Sequence, residues 1–354
     1  MNIKLLVKKE VSALRAYAVE DIYARVKLDA MENPYSLPAE LKDELARELS
    51  RVDINRYPDP DALALRAAIS EYIGVPADKL LLGNGSDELI GMAISAFGGS
   101  PGIVAYPTPT FSMYGIIARS LGQETLELPL NYDYEIDFDT VLGLLSQRRP
   151  NVLFIAYPNN PTGNLFDRDK VRRLIAGTWG LVVVDEAYHS FSGESFINEL
   201  DEFPNLVVLR TLSKVGMAGL RVGIMASGKE VLEEVNKVRL PYNLNGLSQT
   251  AATFILKNRA VIDAQVREIV GERERLYEAL NGLPGVKAYP SKTNFIMFKV
   301  KGATAVYEAL KAKGILIRNL DSPGPLADCL RVTVGTKEEN EEFISELTLL
   351  MEVR

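Results

Sequence analysis

The sequence predicts an α/β protein, with a large domain built on a mostly parallel β-sheet and a smaller α+β domain after it. In the first part of the chain, short continuous apolar runs alternate with segments of helical periodicity, which is typical of parallel strands joined by crossover helices. After about residue 230 the pattern changes to long helices and short strands. We therefore predict an N-terminal arm over residues 1–29, a large domain over 30–256 and a small domain over 257–354.

Periodicity and helix-start residues define the elements of the large domain. The segments "LPAELKDELARELS" and "DPDALALRAAISEYI" carry apolar residues at helical spacing, with Pro and Asp at their starts. A short strand, "KLLLG", is followed by a loop and a helix in "NGSDELIGMAISAF", for which Ser86 is the predicted N-cap. The elements that follow are the strands "GIVAYP", "ETLELPL", "NVLFIAYP", "GLVVVDEAY" and "NLVVLRTLSK" and the helices "SMYGIIARSLG" and "DRDKVRRLIAG".

The small domain is predicted to start with one long helix. In "AVIDAQVREIVGERERLYEALNGLPG", the apolar residues fall on one face and alternating charges on the other, which indicates a solvated outer face. Near the end of the chain, Thr336 and Glu339 have the spacing of a capping box at the start of the last helix. Between these two helices we predict the strand "KTNFIMFKV", the helix "TAVYEALKAKG" and the strands "ILIRNL" and "CLRVTVGT".

Composition and charge exclude several classes of protein. The 354-residue chain has a net charge of −7 and no basic run, which argues against a nucleic-acid partner. Its single cysteine, Cys329, rules out an intramolecular disulfide framework and a Cys metal cluster. Its single histidine, His189, argues against a His-based metal site or a Ser–His triad. No apolar stretch approaches the ~18 residues of a membrane span and the N-terminus has no secretory signal, so we expect a cytoplasmic protein. Catalysis would then depend on carboxylates, lysine, tyrosine or a cofactor.

Three of the predicted buried strands end in polar residues of different kinds. The first of them leads to Asn160, the second to Asp185 and Tyr188, and the third to Ser213 and Lys214. In an open parallel sheet, ligands bind at the carboxyl ends of the strands, so we expect these side chains to meet in one crevice. Taken singly, the asparagine could belong to a turn, the aspartate could cap a helix and the lysine could be exposed. Their occurrence together favours a site.

Pyridoxal phosphate chemistry needs this combination of a lysine, a carboxylate and hydroxyl or amide donors, without histidine or metal. A lysine such as Lys214 forms a Schiff base with the cofactor, and a carboxylate such as Asp185 keeps the pyridine nitrogen protonated. Tyrosine and asparagine donors can bind the phenolic oxygen. The cofactor phosphate needs backbone N–H groups at a helix N-terminus and an arginine. The residues predicted to supply the phosphate site are Gly85, Ser86, Asp87, Ser213 and Arg221.

The motifs "YPNNPTGN", "VVVDEAYHSF" and "RTLSKVGMAGLRVG" resemble those of the fold-type-I pyridoxal-phosphate-dependent aminotransferases. Over nearly the whole chain, the sequence is similar to the histidinol-phosphate aminotransferase branch of this family. The resemblance implies a seven-stranded, mostly parallel sheet in the large domain, and a homodimer. The resemblance to the family also rests on the segments "LDAMENPYSLP", "NRYPDPDALALRAAI", "LGNGSDELI", "YPTPTFSMY" and "LRVTVGTKEEN".

The resemblance also implies roles for individual residues. Lys214 would be the lysine that binds the cofactor, and Asp185 would pair with the pyridinium nitrogen. Tyr188 and Asn160 would bind the phenolic oxygen. Phe111 would stack on the ring, at a position where a tyrosine is common in the family.

Other implied roles concern the partner subunit and the substrate. Tyr57 would reach the cofactor phosphate of the other subunit. The span from Lys214 to Arg221 is seven positions, one shorter than in many members of the family, which bears on the reach of the arginine. His189 is interpreted as a structural residue rather than a base. The residues implied to bind the substrate are Tyr17, Asn33, Arg318 and Arg331.

The leading functional prediction is amino-group transfer between histidinol phosphate and 2-oxoglutarate, in histidine biosynthesis. An aminotransferase for aromatic or other amino acids is an alternative, since an arginine such as Arg331 can bind a carboxylate as well as a phosphate. A decarboxylase for a phosphorylated amino acid could keep every cofactor residue named above. A regulatory module that senses the cofactor would need a DNA-binding domain, for which the acidic charge and the short N-terminal arm leave no room.

Overall fold

The computed structural model describes residues 1–14, 16 and 24–352. None of the helices in these ranges combines the length and the apolar character needed to cross a membrane. The helices are α1 (Lys9–Ser12), α2 (Ala39–Leu49), α3 (Leu63–Ile73), α4 (Ser86–Phe97), α5 (Met113–Ser120), α6 (Phe138–Arg148), α7 (Arg168–Gly177), α8 (His189–Ser192), α9 (Lys229–Asn236), α10 (Gly246–Lys257), α11 (Ala260–Asn281), α12 (Ala303–Ala312) and α13 (Lys337–Glu352). The strands are β1 (Val26–Lys27), β2 (Leu80–Asn84), β3 (Ile103–Thr108), β4 (Glu124–Pro129), β5 (Val152–Ala156), β6 (Leu181–Asp185), β7 (Leu206–Thr211), β8 (Val222–Ser227), β9 (Val286–Ala288), β10 (Phe295–Val300), β11 (Ile315–Leu316), β12 (Arg318–Asn319) and β13 (Cys329–Thr333).

Seven strands form one sheet in the order β2–β8–β7–β6–β5–β3–β4. The strands from β7 to β4 run parallel, whereas β8 is antiparallel to both of its neighbours. The predicted seven-stranded, mostly parallel sheet is therefore confirmed. Strand β8 is absent from the predicted elements, because its apolar run is short, contains Gly223 and directly follows a glycine-rich loop. That loop joins β7 to β8 and carries both Lys214 and Arg221.

Helices cover both faces of this sheet. Alternate strand residues point to opposite faces, so Leu153 and Ile155 of β5 pack in one apolar core and Phe154 between them packs in another. Helices α3, α6, α7 and α10 contribute to the first core, and α4, α5 and α9 contribute to the second. All five residues of β6 are buried, which explains why its sequence is continuously apolar up to the final aspartate.

A second, antiparallel sheet lies in the C-terminal part of the chain, with the strand order β12–β13–β10–β9. Together with α11, α12 and α13 it encloses a third apolar core. This is the α+β architecture that the sequence predicts. The capping box is confirmed, because the Thr336 N–H donates to Glu339 Oε2 at 2.8 Å and the Glu339 N–H donates to Thr336 Oγ1 at 3.3 Å. The domain border predicted between residues 256 and 257 falls at the end of α10 and remains a prediction.

Two local predictions are wrong. The segment 315–320 forms two short strands instead of one, because β11 pairs with β1 while β12 pairs with β13. Ser86 is the first residue of α4 rather than its N-cap, and Gly85 precedes the helix with a left-handed φ of 82°. A glycine adopts this conformation at no steric cost. Helix α4 therefore begins without a side-chain N-cap.

Close packing of β8 against the start of α4 generates a prediction about stability. A Cβ atom on Gly223 would lie 2.6 Å from the Ser86 backbone nitrogen, and the Gly85 carbonyl would also be in its way. Gly223→Ala should therefore lower the free energy of unfolding by roughly 1–3 kcal/mol, as measured by urea denaturation. Gly219→Ala is the matched control, because a Cβ atom there would meet no atom within 4 Å. Equal stability of the two variants would contradict the prediction.

Candidate active site

A cavity of about 590 Å³ lies where β5, β6 and β7 end. Strand register brings these ends together, since Ala156 of β5 pairs with Asp185 of β6, and Asp185 pairs with Leu209 of β7. The structure thus places in one cavity the polar residues that the sequence has at the ends of three strands. The residues that line it include Met31, Ser86, Asp87, Phe111, Tyr114, Asn160, Asp185, Tyr188, Thr211, Ser213, Lys214 and Arg221.

Asp185 is a buried carboxylate that forms no ion pair with any residue in the described ranges. Its oxygens accept hydrogen bonds from the Tyr114 hydroxyl at 2.7 Å and from the Ala187 N–H at 3.1 Å. Burial raises the pKa of Asp185 to about 6, although both donors act to lower it. The neighbouring carboxylate of Glu186 is also buried, but Arg210 Nη2 lies 2.9 Å from it. Of the two adjacent carboxylates, Asp185 is the one available to a cation in the cavity.

Lys214 presents a buried amine to the same cavity. Its Nζ atom lies 3.4 Å from the Ala30 carbonyl oxygen and 5.8 Å from the centre of the Tyr188 ring. Burial, aided by the positive charge of Arg331, lowers the pKa of the Lys214 amine to about 8. A lysine with this pKa is partly neutral near physiological pH, so it can act as a nucleophile or as a base.

A chain of hydrogen bonds connects Arg331 of the small sheet to Tyr188, which lies between β6 and α8. Arg331 Nη1 donates to Asn160 Oδ1 at 2.6 Å, and Asn160 Nδ2 lies 3.2 Å from the Tyr188 hydroxyl. The second terminal nitrogen of Arg331 donates to the Asp29 carbonyl at 3.0 Å. Burial raises the pKa of the Tyr188 hydroxyl, so it remains a neutral donor. The arrangement fixes a guanidinium, an amide and a phenol in one row.

Arg221 and the start of α4 form the other side of the cavity. Arg221 has a left-handed φ of 53°, and its Nη2 atom lies 3.7 Å from Asp87 Oδ2. A Cβ atom on Gly85 would come within 2.6 Å of Arg221 Nη2, so the guanidinium lies directly over this glycine. The short span after Lys214 therefore still brings Arg221 to the helix N-terminus. Unbonded backbone N–H groups and a guanidinium together suit an anion such as phosphate.

The donor set fits pyridoxal phosphate. Asp185 lacks a cation among the described residues, and a protonated pyridine nitrogen would supply one. Lys214 offers an amine for an aldehyde, and Tyr188 with Asn160 offers donors for a phenolic oxygen. Ser213, whose hydroxyl lies 2.9 Å from Thr211 Oγ1, adds a hydroxyl to the wall that Arg221 and α4 form. No group of His, Cys, Asp or Glu in the described ranges could hold a metal ion.

Several predicted residues lie outside the cavity lining. Tyr57 is 81% exposed, and its ring stacks on that of Tyr242 with centroids 4.5 Å apart. Asn33 donates to Gln265 Oε1 at 2.8 Å and caps the Tyr35 N–H. Arg318 is exposed on β12, directly opposite Arg331 in the antiparallel register, so both side chains share one face of the sheet. Tyr17 lies outside the described residues.

His189 takes no part in the cavity. Its imidazole is buried, and burial lowers its pKa to about 3. It therefore stays neutral, in agreement with its interpretation as a structural residue.

Tyr114 and Met31 are among the cavity residues that the predicted site lacks. Tyr114 follows Phe111 by three positions at the entry to α5, and this closeness in sequence is the signal that could have placed it beside the predicted stacking residue. Met31 belongs to the predicted N-terminal part of the large domain and has a left-handed φ of 56°. Its sulfur accepts a hydrogen bond from the Tyr188 hydroxyl at 3.1 Å. No sequence periodicity identifies such a contact, because it joins residues far apart in the chain.

The family model described as "Aminotransferase class I and II" matches residues 24–347. The chain belongs to the class I and II aminotransferases. Two curated relatives of this aminotransferase carry the name histidinol-phosphate aminotransferase 2. The protein from Nitrosococcus oceani is 45% identical over 96% of both chains. The protein from Cupriavidus pinatubonensis is 43% identical over 97% of this chain and 95% of its own.

A solved structure confirms the predicted fold of this aminotransferase. The histidinol-phosphate aminotransferase from Sinorhizobium meliloti, solved in complex with pyridoxal-5'-phosphate, has a TM-score of 0.89 to this chain and covers 98% of both. The two sequences are 21% identical, so this comparison establishes the common architecture alone. The predicted fold-type-I architecture is confirmed.

The lowered pKa of Lys214 generates a prediction for the cofactor-free aminotransferase. With a pKa of about 8, roughly half of the Lys214 amines are neutral at pH 8, against well under 1% for an ordinary lysine. Reductive alkylation by a small uncharged aldehyde should therefore label Lys214 with a rate that is half-maximal near pH 8. Peptide mass spectrometry measures the site and rate, and Lys229, 79% exposed on α9, is an internal control. The same pH dependence at both lysines would refute the lowered pKa.

Proposed function

We propose that this aminotransferase binds pyridoxal phosphate and transfers the amino group of histidinol phosphate to 2-oxoglutarate, in the cytoplasmic biosynthesis of histidine. One observation carries the proposal: Lys214 and Asp185 line one cavity and Arg331 is bonded to Asn160 in its wall, in a chain whose nearly full-length relatives are named histidinol-phosphate aminotransferase. The lysine and the aspartate supply the chemistry of amino transfer. The arginine supplies a means of recognising an anionic substrate.

Asp185, Tyr188 and Asn160 are the residues we assign to the cofactor ring. Pyridoxal phosphate, when bound, supplies an electron sink for negative charge that develops at the substrate carbon. The Asp185 carboxylate holds a proton on the pyridine nitrogen, because a buried carboxylate stabilises an adjacent cation. The hydroxyl of Tyr188 and the amide of Asn160 orient the phenolic oxygen. Phe111, half-buried at the cavity wall, provides an apolar surface for stacking.

Arg221, Ser213 and the first turn of α4 are assigned to the cofactor phosphate. The backbone N–H groups of Ser86 and Asp87 lie at the positive end of the helix dipole, beside this site. The Gly85 N–H, also predicted to bind the phosphate, donates instead to the Gly83 carbonyl at 2.9 Å. The Asp87 side chain already lies near Arg221, so its carboxylate competes with a phosphate for the guanidinium. We therefore assign its contribution to the backbone N–H group.

Lys214 is the base that moves the proton. With its pKa lowered to about 8, its amine would take a proton from the substrate carbon that bears the amino group and hold it as an ammonium. The Ala30 carbonyl and the Tyr188 ring limit the positions of the amine.

Arg331 and Arg318 are assigned to the substrate phosphate. A phosphate monoester carries nearly two negative charges near neutral pH and has three acceptor oxygens, so it can engage two guanidinium groups. The opposed positions of the two arginines on β13 and β12 support this assignment. Asn33 and Tyr17 remain predicted substrate residues.

A homodimer completes the proposal, with Tyr57 acting on the cofactor site of the partner. The surface around Tyr57 exposes Ile54, Leu240 and Leu247, and it borders a groove of about 1850 Å³ formed by residues 51–59 and 241–250. Contiguous exposed apolar side chains are typical of an interface with another protein. A second copy of this chain would cover them.

Substrate discrimination tests the proposed function. Wild-type protein loaded with pyridoxal phosphate should convert histidinol phosphate, with a kcat/KM far above that for unphosphorylated histidinol. Arg331→Ala and Arg318→Ala should each lower this ratio about ten- to a hundred-fold, because a charge-assisted hydrogen bond contributes roughly 1.5–3 kcal/mol. Single-turnover absorbance of the bound cofactor gives both rates. The ratio isolates phosphate recognition from any loss of Asn160 positioning in Arg331→Ala.

Lys299→Ala is the matched control, since it removes an exposed positive charge from β10 of the same sheet. It should leave the ratio unchanged. If the arginine variants lost kcat/KM equally for both substrates, these residues would not bind the phosphate. Faster turnover of aromatic amino acids than of histidinol phosphate would show that the proposed substrate is wrong. Release of carbon dioxide from a phosphorylated amino acid would instead identify a decarboxylase.

Subunit exchange tests the proposed dimer. Lys214→Ala and Tyr57→Ala proteins should each be impaired, since one lacks the base and the other lacks the partner's phosphate contact. An equal mixture should regain up to about one quarter of the wild-type sites, because half of the dimers are mixed and each mixed dimer has one intact site. A mixture of Lys214→Ala with the Lys214→Ala/Tyr57→Ala double variant is the control and should stay inactive. A fully active monomer in sedimentation would overturn the proposal.

A further inference from the structure

We propose that Tyr114 is a positioning residue for the reaction, whose hydroxyl fixes the orientation and the ionised state of the Asp185 carboxylate. This inference rests on the proposed function, because it concerns the carboxylate assigned to the cofactor ring nitrogen. It adds a residue on a different element, α5, to the residues on the strand ends.

The geometry leaves the Tyr114 hydroxyl little freedom. Tyr114 is fully buried, and its ring stacks on Phe154 of β5 with centroids 4.7 Å apart and an angle of 9° between the planes. The edge of the ring meets Phe111 at 5.5 Å. Held by these two rings, the hydroxyl donates to Asp185 Oδ2 at 2.7 Å. The other carboxylate oxygen accepts the Ala187 N–H, so the carboxylate is fixed from two sides.

The Tyr114 hydroxyl matters because the charges around Asp185 act against ionisation of its carboxyl group. Glu186 on the same strand end and Asp87 on α4 act to raise the pKa of Asp185, in addition to its burial. Tyr188 faces it as a neutral phenol, and Lys214 and Arg221 line the same cavity from the loop after β7. Tyr114 and the Ala187 N–H are the contacts that act against burial and lower the pKa of Asp185. Burial also raises the pKa of the Tyr114 hydroxyl, which therefore remains a donor at any working pH.

Tyr114 also connects the carboxylate to the residue assigned to ring stacking. Phe111 precedes it by one helical turn, and the Tyr114 N–H lies 3.4 Å from the Phe111 carbonyl oxygen. Phe111 lies just before α5, which begins at Met113, so a shift at the start of this helix would move the stacking surface and the Asp185 donor together. The entry into α5 thus aligns two faces of the proposed ring site.

Removal of one oxygen atom tests the inference. Tyr114→Phe keeps the ring and its stacking on Phe154, but removes the hydrogen bond to Asp185. Infrared titration of the cofactor-free protein, with Asp185→Asn to identify the band, measures the pKa of this carboxyl directly. We expect the pKa to rise by about one to two units in Tyr114→Phe, the size of a hydrogen bond to a charged group. Tyr106→Phe is the matched control, because its hydroxyl lies 3.4 Å from Glu127 and makes no bond to Asp185.

A double-mutant cycle connects this shift to the cofactor. The dissociation constant for pyridoxal phosphate should rise about ten-fold in Tyr114→Phe, and by less than about two-fold when the same change is made in Asp185→Asn. The role of Tyr114 would be overturned if Tyr114→Phe left the pKa of Asp185 unchanged. It would also be overturned if this change raised the dissociation constant equally in the wild-type and the Asp185→Asn proteins. A wild-type protein that fails to bind pyridoxal phosphate would instead refute the proposed function, while the infrared titration would still decide whether Tyr114 controls Asp185.

Discussion

Burial of two adjacent carboxylates at the end of β6 is the constraint on which the site depends. Asp185 and Glu186 both lie in an apolar environment, where an isolated charge is strongly unfavourable. Glu186 is stabilised by Arg210, by the Ser195 hydroxyl and by the Phe196 N–H, all from elements behind the cavity. Among the described residues, Asp185 accepts hydrogen bonds from neutral donors only. The protein therefore keeps one buried negative charge for a cationic ligand, and the surrounding strands and helices are arranged to support it.

The segment 29–31 joins this carboxylate site to the small sheet. Its first two carbonyl oxygens accept hydrogen bonds from Arg331 and Lys214, and the sulfur of Met31 contacts the Tyr188 hydroxyl. The Met31 backbone is also bonded to Thr333 and Asn294 on the small-sheet side. The left-handed φ of Met31, which costs free energy for a residue with a side chain, is maintained by these contacts. The segment thus holds Arg331 and Lys214 close to each other.

Sequence patterns predicted the features that depend on local order and failed where distant residues meet. The apolar runs of β5, β6 and β7 identify a parallel sheet, and parallel strands must bring Asn160, Asp185 and Lys214 to one edge. Strand β8 escaped prediction because Gly223 interrupts a short run that must pack against the α4 entry. The pairings of β11 with β1 and of β12 with β13 depend on partners hundreds or tens of residues away, so nothing within 315–320 indicates where one strand ends.

Under the proposed function, the charge of Arg331 connects substrate recognition to proton transfer. Its guanidinium is the second cause of the lowered pKa of Lys214, after burial, although Arg331 lies on the small sheet and Lys214 follows β7 of the large one. An anion bound to Arg331 offsets part of that positive charge, and the Lys214 amine then becomes more basic. Under the proposed function, arrival of a phosphorylated substrate therefore strengthens the base that must remove its proton. A substrate that leaves Arg331 without an anion meets a weaker base, so discrimination extends from binding to the chemical step.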